Sequence, residues 1–426
     1  MIDQNEEICC ICGRRKNEVG MLYIGTDGCI CSECIEQLHY MNQSIDATKR
    51  GEINNLDLSD KDLSDDYVVE FGLNVPKPHE IKDFLDQYVI GQDEAKRTLA
   101  VAIYNHYKRI KNRTPQNEDD DVELQKSNIL LCGASGAGKS YLVQNISKML
   151  DIPFVSVDAT VFTEAGYVGE DVESILSRLY QNSGYNVAKT EIGIVYIDEC
   201  DKLGTKKANP SITRDVNGSG VQQALLKIIE GTDVLVPPEG GRKHPDAKMV
   251  KINTNNILFI CGGAFVGIED MIASRLNTNS IGFALNAEEG QEKIEKDDMI
   301  RYVEPNDIRK YGFIPEIVGR LPIITYVEKL DKEALKRILV EPKNSIVKQY
   351  QKLFRLDGVD LHFSEEALDY IVEEAEKNET GARGLRSIVE KIMKDYMFDV
   401  PSDPDIHEIV IDAEYIKKID PKYKVA

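Results

Sequence analysis

Gly133-Ala134-Ser135-Gly136-Ala137-Gly138-Lys139-Ser140 has the spacing G-x-x-x-x-G-K-[ST]; an apolar run ending at Leu131 precedes it and an amphipathic pattern of Leu142, Val143, Ile146 and Leu150 follows. At such a strand-to-helix junction the glycines let backbone N–H groups converge on phosphate oxygens. Lys139 supplies positive charge, and the Ser140 hydroxyl can ligate Mg²⁺. Residues 133–140, with Tyr141 beside them, are therefore the expected nucleotide contacts. A second apolar run, Ile194-Val195-Tyr196-Ile197, ends in Asp198-Glu199. A buried strand that delivers two carboxylates to its C-terminal end puts them where ligands collect in open α/β sheets. Asp198 would hold Mg²⁺, directly or through water, and Glu199 would orient and polarise the water that attacks a phosphoanhydride. Together the two patterns predict a site for Mg²⁺ and ATP with Lys139, Asp198 and Glu199 as its catalytic groups.

Six of the nine cysteines fall within the first 34 residues. Cys9-x-x-Cys12 and Cys31-x-x-Cys34 have the spacing of two knuckles that bring four thiolates around a tetrahedral Zn²⁺. Cys10 and Cys29 are alternative ligands. A module this small has too little core to fold easily without a metal. Cys132, Cys200 and Cys261 stand singly in apolar surroundings, a distribution suited to a reducing cytosol.

These groups must be positioned by a chain of 426 residues, 42% of them hydrophobic, with a net charge of −21. That charge opposes attraction to nucleic-acid backbones or anionic membranes. No signal-peptide core appears in residues 1–30, and no apolar run approaches the length of a membrane span. A soluble, cytoplasmic protein is expected. Four parts are expected: a zinc-binding module at 1–45, an acidic flexible linker at 46–75, a large α/β domain at 76–328, and a smaller, mostly helical domain at 329–426. In the large domain, helical patterns at 80–89 and 93–111 precede strand-like runs at 127–132, 154–157, 192–197 and 257–260, which predicts a parallel sheet. Residues 286–307 are acidic and poor in hydrophobes, and read as an exposed insertion. Helical patterns at 332–354, 364–377 and 382–398 and a strand at 408–411 follow.

Taken in order, the cysteine pairs, acidic stretch, phosphate loop and Asp-Glu strand resemble the ClpX family of AAA+ unfoldases, over residues 8–412. The resemblance implies an AAA+ P-loop NTPase fold with an N-terminal four-cysteine zinc module. It also implies a homohexamer that unfolds tagged or unfolded proteins with ATP. Such a ring feeds the ClpP peptidase, acts as a chaperone without it, and takes adaptors on the zinc module. Tyr88-Val89-Ile90-Gly91-Gln92 resembles the family's adenine-side box, with Val89 and Ile90 flanking the base. Tyr167 and Val168, in Gly166-Tyr167-Val168-Gly169, resemble the loop that grips a translocating polypeptide, and residues 209–216 a second pore loop. Arg242-Lys243-His244 resembles a basic loop at the pore entrance, and Ile281-Gly282-Phe283 a peptidase-docking loop. Arg320, in Gly319-Arg320-Leu321-Pro322, resembles an arginine finger, and Arg383, in Gly381-Ala382-Arg383-Gly384, a nucleotide sensor.

Several features depart from the family pattern: Cys10 and Cys29 are extra cysteines, Ala134 and Ser135 replace the usual Pro and Thr, and Cys200 stands where Ile is usual. The fourth strand runs into Cys261-Gly262-Gly263, so no residue is assigned to the polar sensor many AAA+ proteins carry there. An HslU-type unfoldase is a poorer match, because that family lacks a zinc module.

Overall fold

In the computed structural model the chain divides into two compact units, Met1–Asp62 and Leu63–Ala426. The structure describes residues 15, 19, 21–24, 29–32, 34–35, 75–111, 122, 124–163, 170–204, 218–237, 249–280, 296–378, 380–403 and 405–419. In the first unit, β1 (Leu22–Ile24) pairs antiparallel with β2 (Cys29–Cys31), Leu22 lying opposite Cys31. Cys31 and Cys34 are buried beside Val19 and Ile30.

The second unit is built on a five-stranded parallel sheet. Its members are β3 (Ile129–Cys132), β4 (Phe154–Asp158), β5 (Ile194–Asp198), β8 (Leu258–Gly263) and β9 (Ile323–Tyr326), in the spatial order β4-β5-β8-β3-β9. Strands buried on both faces need continuous apolar sequence, which β3 (ILLC) and the first four residues of β5 (IVYI) provide. The pleat sorts these residues. Ile129, Leu131, Ile194, Tyr196, Leu258 and Ile260 face one core, with helices α1 (Pro78–Asp86), α2 (Asp93–Lys111) and α3 (Lys139–Leu150). Leu130, Cys132, Val195, Ile197, Phe259 and Cys261 face the other, with α4 (Ser174–Asn182) and α6 (Ser219–Glu230), between which lies the short α5 (Val187–Glu191). An antiparallel pair, β6 (Asp233–Val236) and β7 (Val250–Asn253), stands outside this sheet.

Three of the four expected strands form within two residues of their sequence bounds, and the fourth, expected at 257–260, runs three residues further, to Gly263. The fifth, β9, forms the edge of the sheet beside β3. The acidic stretch is not an exposed insertion throughout. Residues 286–295 lie outside the described residues, but a 3-10 turn at Lys296–Tyr302 buries Ile300 in the core. After α7 (Ile268–Ser280), α8 (Pro305–Tyr311) buries Asp307 completely. The reason is pairing: Arg275 reaches Asp307 and Glu304 at 3.0 Å each. A short α9 (Pro315–Arg320) leads into β9.

The C-terminal part has its own core, with Leu339, Tyr350, Ile371, Leu385 and Ile411 among its residues. The helical pattern expected at 332–354 is two helices, α10 (Lys332–Val340) and α11 (Ile346–Leu356). Pro342 lacks the N–H needed to continue a helix, and the Ser345 side chain caps the next by accepting from the Lys348 N–H. A parallel pair, β10 (Asp360–Phe363) and β11 (Glu408–Ile411), brackets α12 (Glu365–Lys377) and α13 (Ala382–Asp399), and α14 (Ala413–Ile419) follows. Among the described residues no helix is long and apolar enough to cross a membrane.

Candidate active site

The phosphate loop leaves β3 and enters α3 through a path that two glycines make possible. A Cβ on Gly133, at φ +135°, would fall 2.3 Å from the Val327 carbonyl oxygen. One on Gly136, at φ +79°, would fall 2.9 Å from the Thr380 carbonyl oxygen, so the loop lies directly against the C-terminal part. Buried Lys139 donates from Nζ to the carbonyls of Gly133 (2.7 Å) and Ala134 (3.0 Å). Burial lowers its pKa, and the Asp198 and Asp201 carboxylates oppose that shift.

The carboxylates arrive where β5 ends. Ser140 Oγ donates to Asp198 Oδ2 at 2.7 Å, while Asp198 Oδ1 accepts from the Tyr196 hydroxyl (3.2 Å) and the Glu199 N–H (3.0 Å). A hydroxyl and a carboxylate converging in this way form a hard oxygen donor pair that fits Mg²⁺. Glu199 adopts φ +53°, ψ +30°, a left-handed conformation that costs a non-glycine residue roughly 1–2 kcal/mol. It turns the chain sharply at the strand end and leaves the Glu199 side chain exposed to the site.

Val89, Ile90, residues 135–141, Asp198, Glu199 and Arg383 line one cavity of about 540 Å³, a volume suited to a nucleotide. Gly133 and Ala134 stand behind its wall, where they hold Lys139. The cavity also includes Tyr88, quoted above in the box with Val89 and Ile90, and residues that sequence reasoning missed, Gln144, Asp201, Leu330 and Ile338 among them. Asp201 had a signal, an acid three residues after Asp198 in a buried context. Its Oδ1 accepts from the Ala264 N–H at 3.1 Å and so ties the end of β5 to the end of β8. Leu330 and Ile338 come from the C-terminal part, and nothing local in the sequence announces them; Ala382 enters beside Arg383 from the segment that resembles a nucleotide sensor.

Arg320 is absent from this cavity wall. It ends α9 half exposed and holds Glu230 at 3.0 Å. Tyr167, Val168, Arg242, Lys243, His244, Ile281, Gly282 and Phe283 lie outside the described residues, as do Cys9, Cys10 and Cys12. Of the expected zinc ligands, Cys31 and Cys34 are described and buried together; among the described residues no group of three or more metal-binding side chains occurs. Cys132, Cys200 and Cys261 are buried on one face of the sheet, and burial pushes the Cys261 thiol up to about 12, so it remains protonated.

The family description "AAA domain (Cdc48 subfamily)" matches residues 124–324, and "C-terminal, D2-small domain, of ClpB protein" matches 330–411. A Bacteroides fragilis protein named "ATP-dependent Clp protease ATP-binding subunit ClpX" is 54% identical over 413 residues, 97% of this chain and 95% of that protein. Proteins of the same name from Bacteroides thetaiotaomicron and Porphyromonas gingivalis are 52% and 49% identical; they align with 96% and 97% of this chain and 95% and 96% of their own lengths. With half of its residues shared over nearly its whole length and a phosphate loop facing an Asp-Glu strand end, the chain is an ATPase that belongs to the ClpX family of AAA+ proteins.

Proposed function

We propose that this ATPase works in the cytoplasm as a six-membered ring that unfolds tagged or unfolded protein substrates and threads them into a ClpP-type peptidase, with chaperone activity when the peptidase is absent. One observation carries the reading: the cavity is walled from two sides. The phosphate loop, Asp198 and Glu199 come from the sheet, whereas Leu330, Ile338, Ala382 and Arg383 come from the C-terminal part. A group gripped by both sides changes their relative disposition when it is cleaved, and that displacement is the mechanical stroke. The moving bodies are residues 76–328 and 329–426.

Bound Mg²⁺-ATP supplies the phosphoanhydride whose hydrolysis drives the cycle. Val89 and Ile90 enclose the base. The backbone of 133–140 cradles phosphate oxygens, Lys139 moves from its loop carbonyls to phosphate, and Ser140 and Asp198 hold the cation. Glu199 orients the attacking water and accepts its proton. Arg383 faces the phosphates from the C-terminal part. Arg320, exposed and outside its own cavity, serves the site of a neighbouring subunit, so turnover depends on assembly.

Tyr167 and Val168 grip the polypeptide in the pore, Arg242, Lys243 and His244 attract acidic tags at its entrance, and Ile281, Gly282 and Phe283 anchor the peptidase. Zn²⁺ on Cys9, Cys12, Cys31 and Cys34 holds the N-terminal module, the docking place for adaptors and some substrates. The test is ATP-dependent loss of fluorescence from a tagged, stably folded fluorescent protein, with and without ClpP. Loss in both conditions, with fragments only when ClpP is present, is expected; stable fluorescence in both would refute the reading.

A further inference from the structure

The fourth strand, β8, offers no polar side chain where it approaches the carboxylates, because it ends in Gly262-Gly263. The space beside Gly262 is not empty. A Cβ built there would lie 2.0 Å from the Tyr196 hydroxyl and 2.6 Å from the ring carbon that carries it. Tyr196 pairs with Ile260 across β5 and β8, so Gly262 is the next residue on the same face toward the strand's C-terminal end. The tyrosine ring therefore leans along the sheet toward the phosphate loop. Its hydroxyl crosses the missing side chain and donates to Asp198 Oδ1 at 3.2 Å, while Ser140 donates to Oδ2. Tyr196 is fully buried, although a phenylalanine would fill almost the same volume.

We propose that Tyr196 is a positioning residue for hydrolysis: its hydroxyl, seated over Gly262, supplies from β5 the polar group that β8 lacks and fixes the Asp198 carboxylate in the orientation that meets a divalent cation. The two sides of the arrangement depend on each other. Any side chain at 262 would displace the phenol, and loss of the phenol leaves Asp198 Oδ1 held by the Glu199 N–H alone. A phenol hydroxyl is a hydrogen-bond donor to a carboxylate, a role that phenylalanine cannot fill. Outer hydrogen bonds of this kind change metal affinity by about 10- to 100-fold when removed.

The proposal rests on Asp198 as the Mg²⁺-facing carboxylate, and the experiment separates the two claims. Binding of a fluorescent ADP analogue is titrated with Mg²⁺ in the unaltered chain, Tyr196→Phe and Asp198→Asn, and repeated in EDTA; melting temperatures are taken without nucleotide. For Tyr196→Phe, the Mg²⁺ concentration giving half-maximal binding should rise about tenfold, with EDTA binding and melting temperature unchanged. Gly262→Ala, which keeps the tyrosine but displaces it, should show the same shift. An unchanged Mg²⁺ dependence in Tyr196→Phe beside a shifted one in Asp198→Asn would make Tyr196 a packing residue and overturn the proposal. An unchanged dependence in Asp198→Asn would overturn its premise.

Discussion

The side chain of Gln92 pairs with the backbone of Glu328 on both edges: Nε2 donates to the Glu328 carbonyl at 2.9 Å, and the Glu328 N–H donates to Oε1 at 2.7 Å. Gln92 is buried, at φ +59°, two residues beyond the cavity wall at Ile90, and Glu328 ends the segment that follows β9. The bonds thus fasten the turn that follows the Val89–Ile90 wall of the cavity to the residue just before the C-terminal part.

Gln92→Ala would leave those backbone groups unpaired, at a cost of roughly 1–3 kcal/mol. A lower melting temperature and weaker ADP binding are expected together, measured by thermal denaturation and titration of a fluorescent nucleotide. A fall in stability with nucleotide affinity unchanged would show that the clamp does not reach the cavity.

Glu199→Gln keeps the size and hydrogen-bonding reach of the side chain but removes its basicity. ATP binding should stay within a few-fold of the unaltered chain, while phosphate release should drop by about 10²- to 10⁴-fold. Near-normal turnover in this variant would remove Glu199 from the mechanism.

Because Arg320 and Glu230 are both substantially exposed, their ion pair should contribute under about 1 kcal/mol, and Arg320→Ala should fold normally. Its hydrolysis should nevertheless collapse, by up to about 10³-fold, if the guanidinium serves a neighbour's phosphate. Mixing Arg320→Ala with Glu199→Gln subunits should restore part of the turnover, since one supplies the arginine and the other an intact water-activating site. No gain on mixing would mean that Arg320 acts within its own chain or not at all.

His106 gives a pH signature. Its Nε2–H donates to the Asn256 carbonyl at 2.9 Å in a buried position, and burial, then the charge of Arg109, pull its pKa down to about 3. Between pH 6.5 and 3 the unfolded chain binds a proton that the folded chain refuses. Stability should therefore fall with pH across that window, by at most about 1.4 kcal/mol per unit from this group, and be indifferent to it above 6.5. Urea denaturation from pH 7 to 4 should show a shallower slope for His106→Gln than for the unaltered chain.

The parts of the site legible in the sequence are those whose geometry is local. A Gly-rich loop between a strand and a helix, or two acids at a strand end, are encoded within eight residues, and the structure brings Lys139, Ser140, Asp198 and Glu199 together as their spacing implies. What escapes is set by distant partners. Nothing near Leu330 or Ile338 shows that they face a nucleotide cavity, and the left-handed turn at Glu199 has no glycine to announce it. Asp307 and Ile300 look like parts of a solvated acidic loop, but Arg275 supplies the countercharge that permits Asp307 to be buried, and Ile300 packs into the apolar core. Pro342 does signal the break between α10 and α11, but the apolar period continues across it and conceals the interruption.

The proposed division of one catalytic site between two subunits is tested most directly by phosphate release per chain as a function of chain concentration, in saturating Mg²⁺-ATP, alongside the assembled mass. Specific activity should rise steeply as rings form, and should respond further to a tagged protein substrate. A chain that hydrolyses ATP equally well as a dilute monomer, or that assembles and hydrolyses none, would contradict a shared site.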